Sequence, residues 1–352
     1  MSSLSGFKSI PLRPVQLSLA ASLKCGQSFR WSILTNPLPE AETNLDQCQP
    51  ADSSRVEYRL CLKDRVVCLR QSSDSLYYRN VFPNPQPVPA ELPGREAETL
   101  AWLKDYFQLD VDLGFLYKQW SSQDKVFAKF QDRFEGIRML RQDPWENLVS
   151  FICSSNNNIS RITKMVQNLC THYSPTLLSE EHPFSPSESI AYHPFPSPSA
   201  LADPEAALHL RSLGFGYRAN FIQRTANMLV SAHGISASNT PYGTVEASEL
   251  WLKELRQRLT AEAREELLKF VGVGRKVADC ILLMSLDKVS ALSSEIVLHI
   301  GLPLNPAIED RSRSSRHPRV PNCRQTLWFE ISELGESYYV PKTVRGNQHK
   351  VF

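Results

Sequence analysis

The sequence predicts an α+β protein, a small antiparallel β domain followed by an all-α domain, and three observations predict it. Val56, Tyr58, Leu60 and Leu62 alternate with Glu57, Arg59 and Cys61, the period of a strand with one buried and one wetter face. From about residue 122 the apolar period becomes helical. Near residue 270 two helical patterns meet at Gly272-Val-Gly274. At 352 residues the chain has room for about two domains of ordinary size. We divide it into 1–121, β-rich; 122–288, helical; and 289–352, a divergent and poorly ordered tail.

The first 39 residues contain no Asp or Glu, while Lys8, Arg13, Lys24 and Arg30 are present. That is the composition of a mitochondrial transit segment. The stronger reading is structural: Val15, Leu17 and Leu19 alternate like a strand that opens the fold. Lys63-Asp64-Arg65 turns the chain into Val66–Leu69, a hairpin partner for the alternating strand. Asn36–Arg55 and Pro85–Arg95 are rich in Pro, Asn, Asp and Glu and read as loops.

In the helical part, Phe127, Phe130 and Phe134 recur at three and four, and Gly136 ends the run. Asp143-Pro144-Trp145-Glu146 is a helix start: an Asp cap, Pro at the first position, and Glu placed to close a capping box. Ile162, Met165, Val166 and Leu169 mark the next helix. Ser179–Pro198 is rich in Pro and Ser and acidic, and reads as a surface insertion. Ala206–Leu213 and Ala219–Leu229 read as two further helices, broken at Gly214-Phe-Gly216.

Composition excludes several function classes. The net charge is +2, so a nucleic-acid surface is a local patch and not a global field. No run of eighteen apolar residues occurs, so no membrane span is expected. The eight cysteines (Cys25, Cys48, Cys61, Cys68, Cys153, Cys170, Cys280 and Cys323) are scattered. Cys61 and Cys68 lack the further close-spaced partners of an iron–sulfur ligand set, and reduced thiols are expected. No metal and no cofactor are implied.

Three places carry chemistry. At Phe270–Cys280, Gly272 and Gly274 allow backbone that a β-carbon would oppose. Val277, Ile281 and Met284 then start a helix whose unpaired N–H groups suit a phosphate oxygen. Such contacts position a duplex without reading its sequence. Lys276 lies in the first turn of that helix. The positive helix end and Arg275 disfavour a charged ammonium there, and partial burial would add to this. A lysine so placed is a nucleophile and Schiff-base former; the plainer account makes it one more phosphate-facing cation. Ser154–Arg161 concentrates the amides of Asn156, Asn157 and Asn158, with Arg161 one turn on. Gly214–Arg218 combines flexible backbone with Tyr217 and Arg218. Asn or Tyr on a loop can fill the gap left by an extruded base, and Arg can bond its orphaned partner. Helix capping and interhelix packing account for each loop alone. Together with the hairpin they point to base flipping.

Five ordered motifs carry a resemblance: Gly26-Gln-Ser-Phe-Arg-Trp31, Arg141-Gln-Asp-Pro144, Phe151–Ile159, Leu213-Gly-Phe-Gly-Tyr-Arg-Ala219 and Gly272–Cys280. From about residue 7 to Lys288 the chain resembles eukaryotic 8-oxoguanine DNA glycosylase/AP lyase. The resemblance implies a small antiparallel β domain beside a helix-hairpin-helix DNA-glycosylase domain. It implies excision of 8-oxoguanine opposite cytosine in base excision repair, by a monomer acting on double-stranded DNA in the nucleus and also the mitochondrion. It makes Lys276 the nucleophile that attacks the sugar C1′, expels the base and leaves a Schiff base for β-elimination. The Gly26 carbonyl becomes the reader of the N7 proton, Cys280 a residue packed on the flipped base, Asn156 and Tyr217 the residues that invade the duplex, and Arg161 and Arg218 those on the estranged cytosine. Gly272 and Gly274 form the DNA-binding hairpin. Val271 stands where the family usually has proline.

The resemblance stops after Lys288. There the family continues Pro-Val-Asp-x-His, whose Asp stabilises charge developing on the sugar. This chain reads Val289-Ser-Ala-Leu-Ser-Ser-Glu295. Glu295 falls at the expected position with one extra methylene and without the flanking Pro, Val and His. Catalytic carboxylates tolerate little misplacement, so the reaction is expected to be impaired. The tail carries five prolines (303, 306, 318, 321 and 341) and a basic cluster at Arg311–Arg319, read as a solvated run. One choice of codons for His317–Cys323, read one base out of register, yields Thr-His-Val-Phe-Gln-Ile, the family's usual continuation. A retained intron followed by a frameshift would give such a tail, with the Asp encoded but not translated here. The alternative function is therefore a non-catalytic damaged-DNA-binding protein. A glycosylase for alkylated bases, which would work with water, is disfavoured by Lys276 and by Gly26–Trp31.

Overall fold

The computed structural model describes residues 4, 6–36 and 55–289. Most of the expected loop Asn36–Arg55, Cys48, Cys323, Glu295, the basic cluster and the remainder of the tail after Val289 lie outside the described residues.

Five antiparallel strands form one sheet: β1 (Lys8–Pro11), β2 (Ser32–Thr35), β3 (Val56–Cys61), β4 (Val66–Gln71) and β5 (Ser75–Val81), in the order β1-β5-β4-β3-β2. The opening strand is β1 and not Val15–Leu19. Pro14 and the Ser18 cap divert the chain into a four-residue helix, α1 (Leu19–Ser22), whose first N–H donates to Gln71 Oε1 at 3.0 Å. Leu17 and Leu19 still reach the core. On one face Tyr58, Leu69 and Tyr78 align across β3, β4 and β5. They pack with Leu60, Val67 and Leu76 against Leu103 and Tyr106 of α2 (Leu92–Tyr106) and its C-cap Phe107. The expected loop Pro85–Arg95 thus ends at residue 91, where Pro93 occupies the first turn of that helix.

The other face of the sheet is not wet. Glu57 and Arg59 are both within 1 % of full burial. The reason lies about 120 residues away, where the Pro/Ser-rich segment forms a hairpin, β6 (Leu178–His182) with β7 (Ser185–Tyr192), that lays Tyr192, Leu178 and Ile190 over Cys61, Val66 and Cys68. Glu57 binds Arg59 Nε at 2.6 Å and Arg70 at 2.7 Å. Arg59 continues to the Glu181 carbonyl at 2.9 Å. The acidic insertion is the second cover of the sheet, locked on by buried charge.

The rest of the described chain is helical, apart from one more hairpin. It comprises α3 (Leu113–Gln123), α4 (Phe127–Phe130) with a 3-10 turn at Gln131–Phe134, α5 (Pro144–Ser154), α6 (Ile159–Tyr173), α7 (Pro198–Ala202), α8 (Ala206–Ser212), α9 (Arg218–His233), the hairpin β8 (Ala237–Thr240) with β9 (Gly243–Glu246), α10 (Ala247–Glu254), α11 (Thr260–Leu268) and α12 (Arg275–Ser285). Asp143 caps α5 as expected, accepting from Trp145 and Glu146 N–H groups. The Glu146 carboxylate instead pairs with Arg30 at 2.9 Å, because that buried guanidinium needs a counter-charge more than the N-cap needs a second acceptor. Helix α5 is the central post of the helical core. Its Leu148, Val149, Ile152 and Cys153 are buried with Met165, Val166 and Leu169 of α6, Ala219 and Ile222 of α9, and Val277 and Ile281 of α12.

Replacing Glu57 with Gln removes the buried carboxylate that Arg59 and Arg70 share. We expect a loss of about 3–5 kcal/mol, read as a shift in the urea midpoint at unchanged m-value.

Candidate active site

Helix α11 ends at Leu268, and the chain crosses to α12 through Lys269–Gly274. Gly272 sits at φ +82°, and a β-carbon there would stand 2.7 Å from Phe221 Cγ and 2.9 Å from its Cβ. Both backbone sign and space demand glycine. Gly274 differs from expectation. Its φ of −88° is open to any residue, and a β-carbon there would meet no atom within 4 Å. It is the N-cap of α12 and offers no side-chain cap. The first N–H groups of that helix therefore have no acceptor from their own cap, and a helix start of this kind suits an outside acceptor.

Lys276 is exposed in the first turn of α12, so the partial burial expected of it is absent. One turn on, Cys280 is 2 % exposed, and burial pushes its thiol up to about 12 against the opposing pull of Lys276. An exposed amine thus stands beside a neutral, apolar thiol wall.

The amide-rich loop resolves into separate roles. Asn158 caps α6 by accepting from Arg161 N–H at 2.9 Å, and Asn157 donates to the Cys153 carbonyl at 2.9 Å. The capping account holds for these two. Asn156 is different: it adopts φ +48° and its side chain is exposed. That left-handed backbone is held from below. Tyr217 Oη donates to the Ser155 carbonyl at 3.1 Å, and the Arg218 guanidinium donates to the carbonyls of Ser155 and Asn156. Arg218 is therefore turned inward, 4 % exposed, and lies under the Tyr217 ring at 4.6 Å. Arg161 stays exposed and reaches the Gly214 carbonyl at 3.3 Å. The structure brings Asn156, Tyr217, Arg218 and Arg161 together where the two loops touch.

Sequence reasoning missed Phe221, which joins this pair of loops to the hairpin. Its ring meets Tyr217 edge-on at 5.5 Å, and it also lies against Gly272. Its neighbour on the helix, Thr225, donates to the Val271 carbonyl at 3.1 Å. An aromatic four residues after Tyr217 on one helix was the available signal.

Gly26 is buried at φ +79°, and a β-carbon would come 3.3 Å from Ile159 Cδ1 at the start of α6. Gln27 anchors it. Its amide accepts from Leu140 N–H at 3.0 Å and donates to the Arg138 carbonyl at 2.9 Å. Gln142 donates to the Gln27 carbonyl at 2.8 Å, while its own N–H donates to the Met284 carbonyl of α12 at 2.8 Å. Both glutamines lie inside quoted motifs. Partners more than a hundred residues away could not be read from them. Among the described residues no group of three or more His, Cys, Asp or Glu is placed to hold a metal.

Residues 9–148 match the 8-oxoguanine DNA glycosylase N-terminal domain, and residues 149–305 match the HhH-GPD superfamily of base excision DNA repair proteins. The second match runs past Lys288. The N-glycosylase/DNA lyase of Saccharomyces cerevisiae is 36 % identical over 80 % of this chain, which spans 66 % of that relative's length. The N-glycosylase/DNA lyase OGG1 of Arabidopsis thaliana is 31 % identical over 92 % of this chain and 80 % of its own. The Clostridium acetobutylicum 8-oxoguanine glycosylase/lyase, in complex with double-stranded DNA containing cytosine opposite 8-oxoG, superposes with a TM-score of 0.56 at 26 % identity, over 83 % of this chain and 81 % of that one.

The two hairpin glycines should behave differently. Gly272→Ala is expected to cost roughly 1–2 kcal/mol from its left-handed backbone alone, with more from displacing Phe221. Gly274→Ala should stay within about 0.5 kcal/mol of the parent and lose DNA affinity; thermal melts and fluorescence anisotropy separate the two. A thiol near 12 leaves on the order of 10⁻⁴ thiolate at pH 8. Native iodoacetamide treatment followed by mass spectrometry should therefore find Cys280 unmodified.

Proposed function

Because the chain belongs to the 8-oxoguanine DNA glycosylase family within the HhH-GPD base excision repair superfamily, we propose that it is a DNA glycosylase with AP lyase activity that removes 8-oxoguanine opposite cytosine. The observation that carries this reading is the contiguity of the hairpin and the two exposed loops through Phe221. The element that grips phosphate, the residues that fill a vacated base position and the amine nucleophile are fixed to one another. An exposed amine alone would suit phosphate binding; held one turn from the buried Cys280 thiol, against which an extruded base can pack, it also suits attack on the sugar.

The chemistry divides among named groups. Unpaired N–H groups at the start of α12 hold a phosphate oxygen. Asn156 and Tyr217 enter the stack as the damaged nucleotide leaves it. Arg161, exposed at the loop junction, meets the estranged cytosine. Arg218 keeps the Asn156 backbone in its left-handed form until DNA arrives. The extruded base packs on Cys280, and the Gly26 carbonyl accepts the N7 proton that guanine lacks. A buried acceptor left unpaired by guanine discriminates by about 1–3 kcal/mol. The Lys276 Nζ–C1′ bond forms as the bond from C1′ to the base breaks, and the base leaves and takes up a proton. Sugar ring opening gives the Schiff base. Loss of a C2′ proton then expels the 3′ phosphate. We place this activity in a monomer working in the nucleus.

A second reading, recognition of damage without excision, is favoured by one feature. After Lys288 the chain runs Val289-Ser-Ala-Leu-Ser-Ser-Glu295 where relatives in the resemblance supply Asp.

Borohydride trapping on duplex DNA carrying 8-oxoguanine opposite cytosine decides between them. A covalent complex that is lost in Lys276→Ala, with duplex binding retained, is the expected result. Specific binding without any trapped complex in the parent would establish the second reading.

A further inference from the structure

Helix α9 continues the DNA surface beyond Tyr217. Seven residues make two turns less about 20°, so Arg224 falls on the same stripe as Tyr217, about 10 Å further along the helix. Phe221 and Thr225, about 60° and 100° round the helix from it, both touch the hairpin, at Gly272 and at the Val271 carbonyl. Arg224 therefore emerges beside the hairpin. It is exposed, and no hydrogen bond or ion pair among the described residues involves it. The helix itself contains no Asp or Glu, so nothing on it neutralises that charge.

Resting on the function proposed above, we infer that Arg224 is a further DNA-binding residue, a cation for the phosphate backbone beside the wedge. About 10 Å corresponds to roughly three base steps at 3.4 Å per step. At that distance from the extruded nucleotide the duplex is paired, and a guanidinium on the protein surface meets phosphate before base edges. The contact therefore adds affinity without selecting 8-oxoguanine. It also fixes the direction of the duplex: along α9, from the Tyr217 wedge past the hairpin.

The test is the salt dependence of duplex binding by the full chain, measured by anisotropy on damaged and undamaged DNA from about 50 to 200 mM salt. Arg224→Ala should lower the slope by about 0.9, so the affinity lost across that range shrinks roughly 3.5-fold. The change should be equal on both duplexes, with an unchanged melting temperature and unchanged trapping at saturating DNA. Arg224→Lys should restore the slope. Lys118→Ala, an exposed charge on α3, should leave it at the parent value. An unchanged slope in Arg224→Ala, or an equal drop in Lys118→Ala, overturns the inference alone. A parent chain with no salt-dependent duplex binding overturns the proposed function as well.

Discussion

The geometry of the site depends on a short run of amide hydrogen bonds through Gln27 and Gln142. These two side chains are almost fully buried, and each satisfies backbone groups that no secondary structure pairs. Gln27 ties the Gly26 loop to residues 138–140. Gln142 ties that loop to its own segment, while its backbone N–H reaches the Met284 carbonyl at the far end of the lysine's helix. Arg256 adds a bond to the Gln142 carbonyl at 3.2 Å. The proposed base reader and the proposed nucleophile, 250 residues apart in sequence, are thus two ends of one hydrogen-bonded frame. Apolar contacts could hold the two regions together, but their non-directional nature would let them slide. Amides with fixed donor and acceptor directions do not. Discrimination by one backbone carbonyl needs that rigidity, because a displacement of an ångström would make the acceptor indifferent to the N7 proton.

A second constraint couples the parts that touch DNA. Phe221 is packed between Tyr217 and Gly272, so neither the hairpin nor the wedge can shift alone. Arg218 completes the link by holding the carbonyls of Ser155 and Asn156 from inside. Its Nε has no partner among the described residues, and an inward guanidinium so incompletely satisfied costs free energy. What it sustains is a non-glycine residue in left-handed backbone, the kind of local strain that collects at functional sites. Strain of this kind is useful where an asparagine must project from a loop tip instead of capping the next helix, the job that Asn158 already performs.

How much of this was legible in the sequence follows from which contacts are local. The α5 start, the α6 stripe and the hairpin could be read because caps, 3.6-residue periods and glycine turns are decided within a few residues. The wet face assigned to Glu57 and Arg59 could not, since alternation reports only that two faces differ, and the charged one is sealed by a hairpin from residues 178–192. The same limit explains Gly274. A Gly-x-Gly pattern announces a turn, yet only Gly272 meets a ring and a positive φ; the other is left open on the protein side. The amide-rich run by itself made three asparagines equal candidates; the resemblance pointed to Asn156, and the bonds made by Asn157 and Asn158 leave it the one of the three that does not cap.

The same geometry bears on where a catalytic carboxylate can come from. Asp279 lies one turn beyond Lys276 on its own helix and would be the simplest source. It is 1 % exposed and bonded to Arg264 at 2.8 Å, with Arg275 at 3.9 Å. Freeing it would leave a buried ion pair broken, at a cost of several kcal/mol. Asp287, just past the helix, pairs with Arg141 at 2.8 Å, and that pair helps anchor the segment carrying Gln142. Both acids of this stretch are thus committed to holding the frame. Within this stretch no carboxylate is left to meet charge developing on the sugar, and the superfamily match continues beyond it to residue 305, across Glu295.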